Sequence, residues 1–195
     1  MESYEKEMYN FFTIEQNFLS MCKVVKNYPL VTSQLKEEFW ELVQIKLKKA
    51  LQLNESSYTL KITGKINDER TKIMLYKINW PIANNQPVVA IAIQRLAANN
   101  YPFYGPWINN DSKEMDIESM YSLCRNSKAG LNFYKDDDRW FPFYKDLAIN
   151  FQYDEEYLKI FPENRESFAE EVARNVFELA KGMDQELDEI SKLKK

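Results

Sequence analysis

Hydrophobic positions along this chain change period twice, from helical spacing to alternation and back to helical spacing. Residues 4–26 carry apolar side chains at helical spacing, with charged residues between them. The Tyr28-Pro29 dipeptide predicts the end of that helix, because a residue before proline disfavours helical backbone. A second helix is predicted from a cap at Thr32 or Ser33 to about Leu51.

Alternating apolar and polar residues in the middle of the chain predict successive short strands. The segments 58–62, 72–80 and 88–95 are rich in β-forming residues, and turn-like stretches separate them. Short turns between strands favour an antiparallel meander. Residues 130–134 predict a further strand. Asp111 and Glu114 have the spacing of a capping box, which predicts a short amphipathic helix behind them.

The last part of the chain predicts one long helix over residues 164–192. Its apolar stripe ends in Met183, Leu187 and Ile190. At ~1.5 Å per residue such a helix is ~43 Å long, more than a domain of this size covers. We therefore expect those three side chains to project and to bind a partner protein or a second copy of the chain. Alternatively, the phenylalanines of the first helix could pack on those three side chains within the same chain.

These patterns together predict an α+β fold. N-terminal and long C-terminal helices pack on one face of an antiparallel β-meander sheet. A length of 195 residues suits one domain with a core of its own. Residues 1–30 are interpreted as an N-terminal helical extension, and residues 31–195 as a single α+β domain.

The residue composition removes most routes to catalysis. The chain has no histidine, two cysteines and four glycines, so it lacks the usual general base and the glycine-rich loops that hold phosphates. Cys22 and Cys124 occupy apolar positions of helical patterns, and both are expected to be buried. We expect no catalytic residue, no metal site and no cofactor.

Charge and hydropathy exclude further classes of protein. The net charge of −4 argues against general nucleic-acid binding, which needs a local excess of basic residues. No apolar run has the length of a membrane span, and the acidic start is not that of a secretory signal. The chain is therefore expected in the cytoplasm and away from membranes.

Two groups of carboxylates support one enzymatic alternative. Asp136, Asp137 and Asp138 form an acidic run, and Asp68 and Glu69 precede a predicted strand. Converging carboxylates hold the metal ions of phosphodiester hydrolysis, and such a site would make the chain a divergent metal-dependent nuclease. Adjacent residues of a turn point in different directions, so a solvated turn is the favoured interpretation of the acidic run.

Two aromatic segments that proline interrupts, residues 101–107 and 140–145, are the candidate binding surface. Aromatic side chains on loops often stack on ligands or on partner side chains. The residues assigned to this surface are Tyr104, Trp107, Trp140, Tyr144 and Lys145. It would bind a partner protein or, as the alternative, a small nucleotide-like molecule. The same aromatic residues could instead close the open end of the sheet against the helices.

Parts of residues 33–190 resemble a known superfamily. A helix contains Phe39-Trp40-Glu41-Leu42, the meander leads into a Tyr104-Gly105 loop, and residues 140–145 precede a helix with Phe168-Ala169 and Val172-Ala173. These motifs resemble the accessory region that follows the nuclease core in some bacterial PD-(D/E)XK proteins, here without that core. The resemblance implies a non-catalytic protein-interaction or regulatory module in a bacterial or phage conflict system, that is, in defence or counter-defence.

Overall fold

The computed structural model describes residues 3–66, 68, 70–97, 101–135 and 140–195. Its helices are α1 (Ser3–Phe12), α2 (Glu15–Leu53), α3 (Ile117–Arg125), α4 (Arg165–Gly182) and α5 (Asp184–Ile190). Its strands are β1 (Tyr58–Ile62), β2 (Ile73–Lys77), β3 (Ile82–Ala83), β4 (Gln86–Pro87), β5 (Val89–Gln94), β6 (Phe103–Ile108) and β7 (Lys145–Asp146). Two 3₁₀ segments, Lys128–Gly130 and Asp154–Ile160, lie before and after β7.

Five strands form one antiparallel sheet in the order β1-β2-β5-β6-β7. The short β3–β4 hairpin is inserted between β2 and β5. Its two-residue turn consists of Asn84 and Asn85, which both have positive φ angles of 53° and 61°. Asparagine tolerates this left-handed conformation, which a tight hairpin requires. Apart from this insertion, neighbours in the sheet are neighbours along the chain, so the predicted meander is confirmed.

The helices α2 and α4 pack against each other and cover one face of the sheet. Alternate strand residues point to that face and join the helical stripes in the main core. The Trp40 indole N–H donates a hydrogen bond to the Leu96 carbonyl oxygen at 3.0 Å, which satisfies a polar group in this core. The predicted α+β fold, with N-terminal and C-terminal helices on an antiparallel sheet, is confirmed.

The first helices differ from the prediction. Helix α2 continues through Pro29, so the predicted end at Tyr28-Pro29 and the cap at Thr32 or Ser33 are wrong. Proline leaves the Val25 carbonyl without its helical donor, but Val25 is exposed, so that oxygen is open to hydrogen bonding by solvent. The helical break lies earlier, between Phe12 and Glu15. The proposed boundary between residues 30 and 31 falls inside α2.

The elements around the predicted capping box are also shifted. Asp116, and not Asp111, caps α3: its carboxylate accepts hydrogen bonds from the Ser119 backbone N–H at 3.1 Å and the Ser119 hydroxyl at 2.7 Å. These hydrogen bonds lower the pKa of the Asp116 carboxyl. Residues 130–134 do not form the predicted strand, because a 3₁₀ turn occupies their start and only Tyr134 pairs, with Tyr144.

The C-terminal helix does not project. It ends at Gly182, and α5 lies against α3 and β5. Met183, Leu187 and Ile190 are therefore buried in the main core, and the expectation that they are exposed for a partner is wrong. The helix ends at a glycine, and Lys77 of β2 binds two carboxylates of α5, a tertiary contact that local helical spacing does not contain.

Candidate functional site

The face of the sheet away from α2 and α4 holds a second, smaller apolar cluster. Ala90, Ala92 and Gly105 make this face shallow, and residues 140–144 lie across it. A Cβ atom at Gly105 would lie 2.2 Å from the Phe143 carbonyl oxygen, so only glycine permits this close approach. The second aromatic segment is thus held directly against β6.

The structure distributes the predicted aromatic residues over both faces. Trp107 and Trp140 stack on the second face, with ring centroids 5.7 Å apart and planes 14° apart. Tyr144 lies beside them on the ring of Phe103, with centroids 4.9 Å apart. Tyr104 is instead buried in the main core, on the helix side of the sheet. These side chains therefore do not form the single pocket that the prediction assumed.

Lys145 does not reach the stacked tryptophans. It lies opposite Tyr104 in the β6–β7 pair, and its ammonium is 5.9 Å from the ring of Phe133. Of the predicted surface, Trp107 and Trp140 line one cavity, while Tyr104 and Lys145 belong to the other side of the sheet.

A cavity of about 540 Å³ lies between the stacked tryptophans and the connection from β1 to β2. Side chains of two cations and several hydrogen-bonding groups line it, which the aromatic pattern alone did not reveal. Those that bear on its chemistry are Thr63, Arg70, Lys72, Gln94, Trp107 and Trp140. Two carboxylates, Asp68 and Asp111, are also among the described lining residues.

The cations of this cavity have no carboxylate partner. Neither the Lys72 ammonium nor the Arg70 guanidinium forms an ion pair within the described ranges. The Lys72 ammonium lies 5.5 Å from the centre of the Trp107 ring, a cation–π contact. Burial, followed by the charge of Arg70, lowers the pKa of Lys72. The two cations therefore share the cavity with the carboxylates of Asp68 and Asp111 without forming a direct ion pair with a described carboxylate.

The indole N–H of Trp107 is a buried donor without an acceptor. Trp107 is 1% exposed, and its Nε1 atom has no hydrogen-bond partner among the described residues. A buried donor left unpaired costs about 1–3 kcal/mol. By contrast, the equally buried Trp40 donates to a backbone carbonyl. Trp107 thus lines the cavity and carries a buried donor that no described residue satisfies.

The carboxylates proposed for metal binding do not gather in the described part of the chain. No group of three or more Cys, Asp or Glu side chains there could hold a metal ion. Asp68 accepts a hydrogen bond from the Arg70 backbone N–H at 2.9 Å and so closes its own turn. Glu69 and Asp136–Asp138 lie outside the described residues.

A separate apolar surface lies on the N-terminal part of α2. Every residue from 18 to 31 is exposed except the half-buried Met21. The exposed apolar side chains of this segment, which we name the bare stripe, are Phe18, Leu19, Val24, Val25, Tyr28, Leu30 and Val31. Cys22 lies in the same segment and is exposed as well, so its expected burial is wrong. Cys124 is buried as predicted.

The bare stripe continues a stripe that is covered further along the same helix. Apolar residues recur at intervals of three and four from Phe18 through Met21, Val25 and Tyr28. The same intervals reach Leu35 and Phe39, and Phe39 is fully buried against α4. This regular spacing across Pro29 was the sequence signal for one continuous helix.

Polar contacts show where α2 leaves the body of the domain. Arg165 of α4 pairs with Glu38, and Lys46 pairs with Glu166. The last such contact is at Tyr28, whose hydroxyl donates to the Asp154 carboxylate. This hydrogen bond raises the pKa of Tyr28 to about 12. Residues 15–27 lie beyond these contacts and carry most of the bare stripe.

Comparison with protein-family models, curated proteins and solved structures finds no match to this chain. None of the helices in the described ranges combines the length and apolar character that crossing a membrane requires.

Proposed function

We propose that this chain is a non-catalytic protein-interaction module that pairs with a second copy of itself through the N-terminal part of α2. The observation that carries the proposal is the bare stripe, an apolar helical surface that no described residue covers. Apolar surface in water is unfavourable, and burying it at ~25 cal/mol per Å² drives association. Contiguous exposed patches of this kind usually mark interfaces.

The spacing of Phe18, Val25 and Tyr28 within the bare stripe supports a helix as its occupant. Intervals of three and four residues place side chains on one seam of a helix, where they interlock with a facing helix. Helix α4 already covers the same seam around Phe39. A second helix along residues 18–31 would extend the helix–helix packing that α4 provides around Phe39.

The distribution of charge supports a second copy in antiparallel orientation. Residues 3–15 contain Glu5, Glu7 and Glu15 against one lysine, whereas the charges of residues 16–27 are Lys23 and Lys26. Two antiparallel copies of α2 place Glu15, at the start of one helix, beside the basic part of the other, whereas Glu5 and Glu7 belong to α1. A parallel pair would instead align like charges. Antiparallel helix dipoles favour the same orientation.

The resemblance to the accessory region of PD-(D/E)XK proteins supports the same class of role. We therefore extend the proposal to a regulatory module of a bacterial or phage conflict system that acts in the cytoplasm. Paired domains would present two identical surfaces to a regulated protein, and such bivalence raises affinity without new contacts.

The proposal is tested by the mass of the full chain in solution. Light scattering across a concentration series is expected to show a dimer for the natural chain. Phe18→Asp with Val25→Asp places two charges in the bare stripe and is expected to give a monomer, because the charges would be buried in the pair.

Ser20→Asp with Asn27→Asp is the matched control. Both residues are exposed on the same segment but outside the apolar spacing, and their side chains bond only to carbonyls of their own helix. This variant is expected to remain a dimer. A natural chain that is monomeric at all concentrations, or a dimer that survives the paired aspartates, would contradict the proposal.

A further inference from the structure

We propose that the cavity between Lys72 and the Trp107–Trp140 pair binds a small molecule in which a planar ring is joined to an anionic group, a phosphate or a carboxylate. Its volume of about 540 Å³ falls in the range of ligand pockets. The site lies on the sheet and is independent of α2 pairing, so each proposal can fail without the other.

Two cations of the cavity suit an anion. Lys72 and Arg70 form no ion pair with a described carboxylate, although Asp68 and Asp111 also line the cavity. The Thr63 hydroxyl oxygen accepts from the Lys72 backbone N–H at 2.9 Å, which leaves its own proton available. Cations beside a hydroxyl donor are the groups that phosphates and carboxylates recruit.

The unpaired Trp107 indole is the second, independent observation. Its N–H group is buried in the wall of the cavity and lacks an acceptor among the described residues. A carboxylate or phosphate oxygen would supply that acceptor. A ligand that pairs this donor removes a penalty that the empty protein carries, so part of its affinity comes from relief of that penalty.

The other groups favour a ring with polar substituents over an inorganic anion. Trp140 is partly exposed and lines the cavity, where its indole can make aromatic contact with a ring. Asp68, Asp111 and Gln94 add acceptors to the lining. A ring with amino or hydroxyl groups would donate to these acceptors, which a bare anion cannot do.

Titration with four probes tests the contributions of the ring and of the anionic group separately. Adenosine monophosphate and orotate each join a ring to an anionic group, adenosine supplies a ring alone, and inorganic phosphate supplies an anion alone. Quenching of tryptophan fluorescence reports binding, because two of the four tryptophans line the cavity. We expect saturable binding of at least one joined probe, at least tenfold tighter than adenosine or phosphate. Saturation by adenosine monophosphate alone would identify a phosphate ligand, and saturation by orotate alone a carboxylate ligand.

Two lysine variants test the position of the site. Lys72→Ala is expected to weaken binding about ten- to hundredfold, the usual effect of losing a charged hydrogen bond. Lys65→Ala is the control, because Lys65 is an exposed lysine of the same connection outside the cavity lining. It removes the same charge and is expected to leave the affinity unchanged.

Three results would overturn the proposal. They are the absence of saturable binding by both joined probes, equal affinity for adenosine or phosphate alone, and equal weakening by the two lysine variants. Thermal unfolding of each variant without ligand verifies that it is folded. The paired-aspartate variant of α2, titrated in the same way, is expected to bind as tightly as the natural chain.

Discussion

Phe39 of α2 stacks on Phe168 of α4, with ring centroids 5.3 Å apart and ring planes 13° apart. Around this pair, the stripe of α2 changes from covered to bare. Phe39 is fully buried, whereas Phe18, on the same seam, is half exposed. The two phenylalanines thus have the same chemistry and helical spacing but opposite surroundings.

This contrast predicts two very different costs of truncation. Phe39→Ala removes a ring from a packed core and is expected to lower the free energy of unfolding by about 3–5 kcal/mol. Phe18→Ala is expected to change it by less than about 0.5 kcal/mol when the protein is dilute enough to be monomeric. Denaturant unfolding at low concentration measures both. A large cost for Phe18→Ala in the monomer would mean that its ring packs within its own chain.

A second pair of matched residues tests the unpaired indole. Trp40→Phe and Trp107→Phe remove similar volumes from buried sites, but only Trp40 makes a hydrogen bond through Nε1. We expect Trp40→Phe to be the more destabilising by about 1–2 kcal/mol, because it leaves the Leu96 carbonyl without its donor. Denaturant unfolding of both variants without ligand gives the difference. Equal costs would indicate that the Trp107 N–H is satisfied.

Gly105 is expected to tolerate no side chain. Gly105→Ala would force residues 140–144 away from β6 and should destabilise the fold by about 1–3 kcal/mol, as overpacking does. Gly182→Ala is the control, since no atom lies within 4 Å of the added Cβ. Alanine is a better helix former than glycine, so Gly182→Ala should be neutral or stabilising by up to ~1 kcal/mol. Thermal unfolding of the two variants decides between these outcomes.

The contact that anchors α5 predicts a dependence of stability on pH. The Lys77 ammonium lies 2.9 Å from Asp184 and 2.7 Å from Asp188, and the Trp80 indole donates to Asp188 at 2.7 Å. Burial raises the pKa of Asp188, but these hydrogen bonds and the Lys77 charge outweigh it and lower that pKa overall. The folded state therefore binds this proton less readily than the unfolded state does.

The stabilisation from Asp188 is accordingly present above its unfolded pKa of about 4 and is lost as the pH falls through its lower folded pKa. Asp188→Asn is expected to cost about 1 kcal/mol at neutral pH, since the carboxylate is partly exposed and screened. The difference from the natural chain should shrink as the pH falls below about 4. Glu189→Gln, an exposed change in the same helix, controls for net charge. A difference that stays constant with pH would contradict the ion pair.

The sheet was predictable because the residue pattern that marks each strand lies within the strand itself. The β-forming residues of β2 and the apolar run of β5 mark strands whatever surrounds them. The same rule would have separated Tyr104 from Trp107, because residues three apart in a strand lie on opposite faces. The prolines of residues 101–107 obscured this strand. Proline lacks a backbone N–H, and at position 106 that group would face away from β5. The Ile108 backbone N–H faces the same side and donates to the Trp140 carbonyl. Pro106 therefore costs the β5–β6 pair no hydrogen bond.

Other parts of the molecule depend on contacts between distant residues, which no local pattern contains. Met183 is buried in the main core, and the adjacent α5 pairs with Lys77, more than a hundred residues away in the chain. The cavity likewise combines the β1–β2 connection with Trp140 from the far end of the meander. Pro29 shows the reverse case. The rule that proline ends a helix fails there, because that part of α2 is exposed to solvent.

The two cysteines differ in exposure, so one of them can be labelled selectively in the natural chain. Burial raises the pKa of the Cys124 thiol and keeps reagents away from it, whereas Cys22 is exposed within the bare stripe. A thiol-reactive spin label would therefore attach at one position without any mutation. In an antiparallel pair that aligns Glu15 with Lys26, the two labels sit near the symmetry axis, so the distance between them reads out the register of the helices. The natural chain thus already carries the probe needed to observe its own assembly.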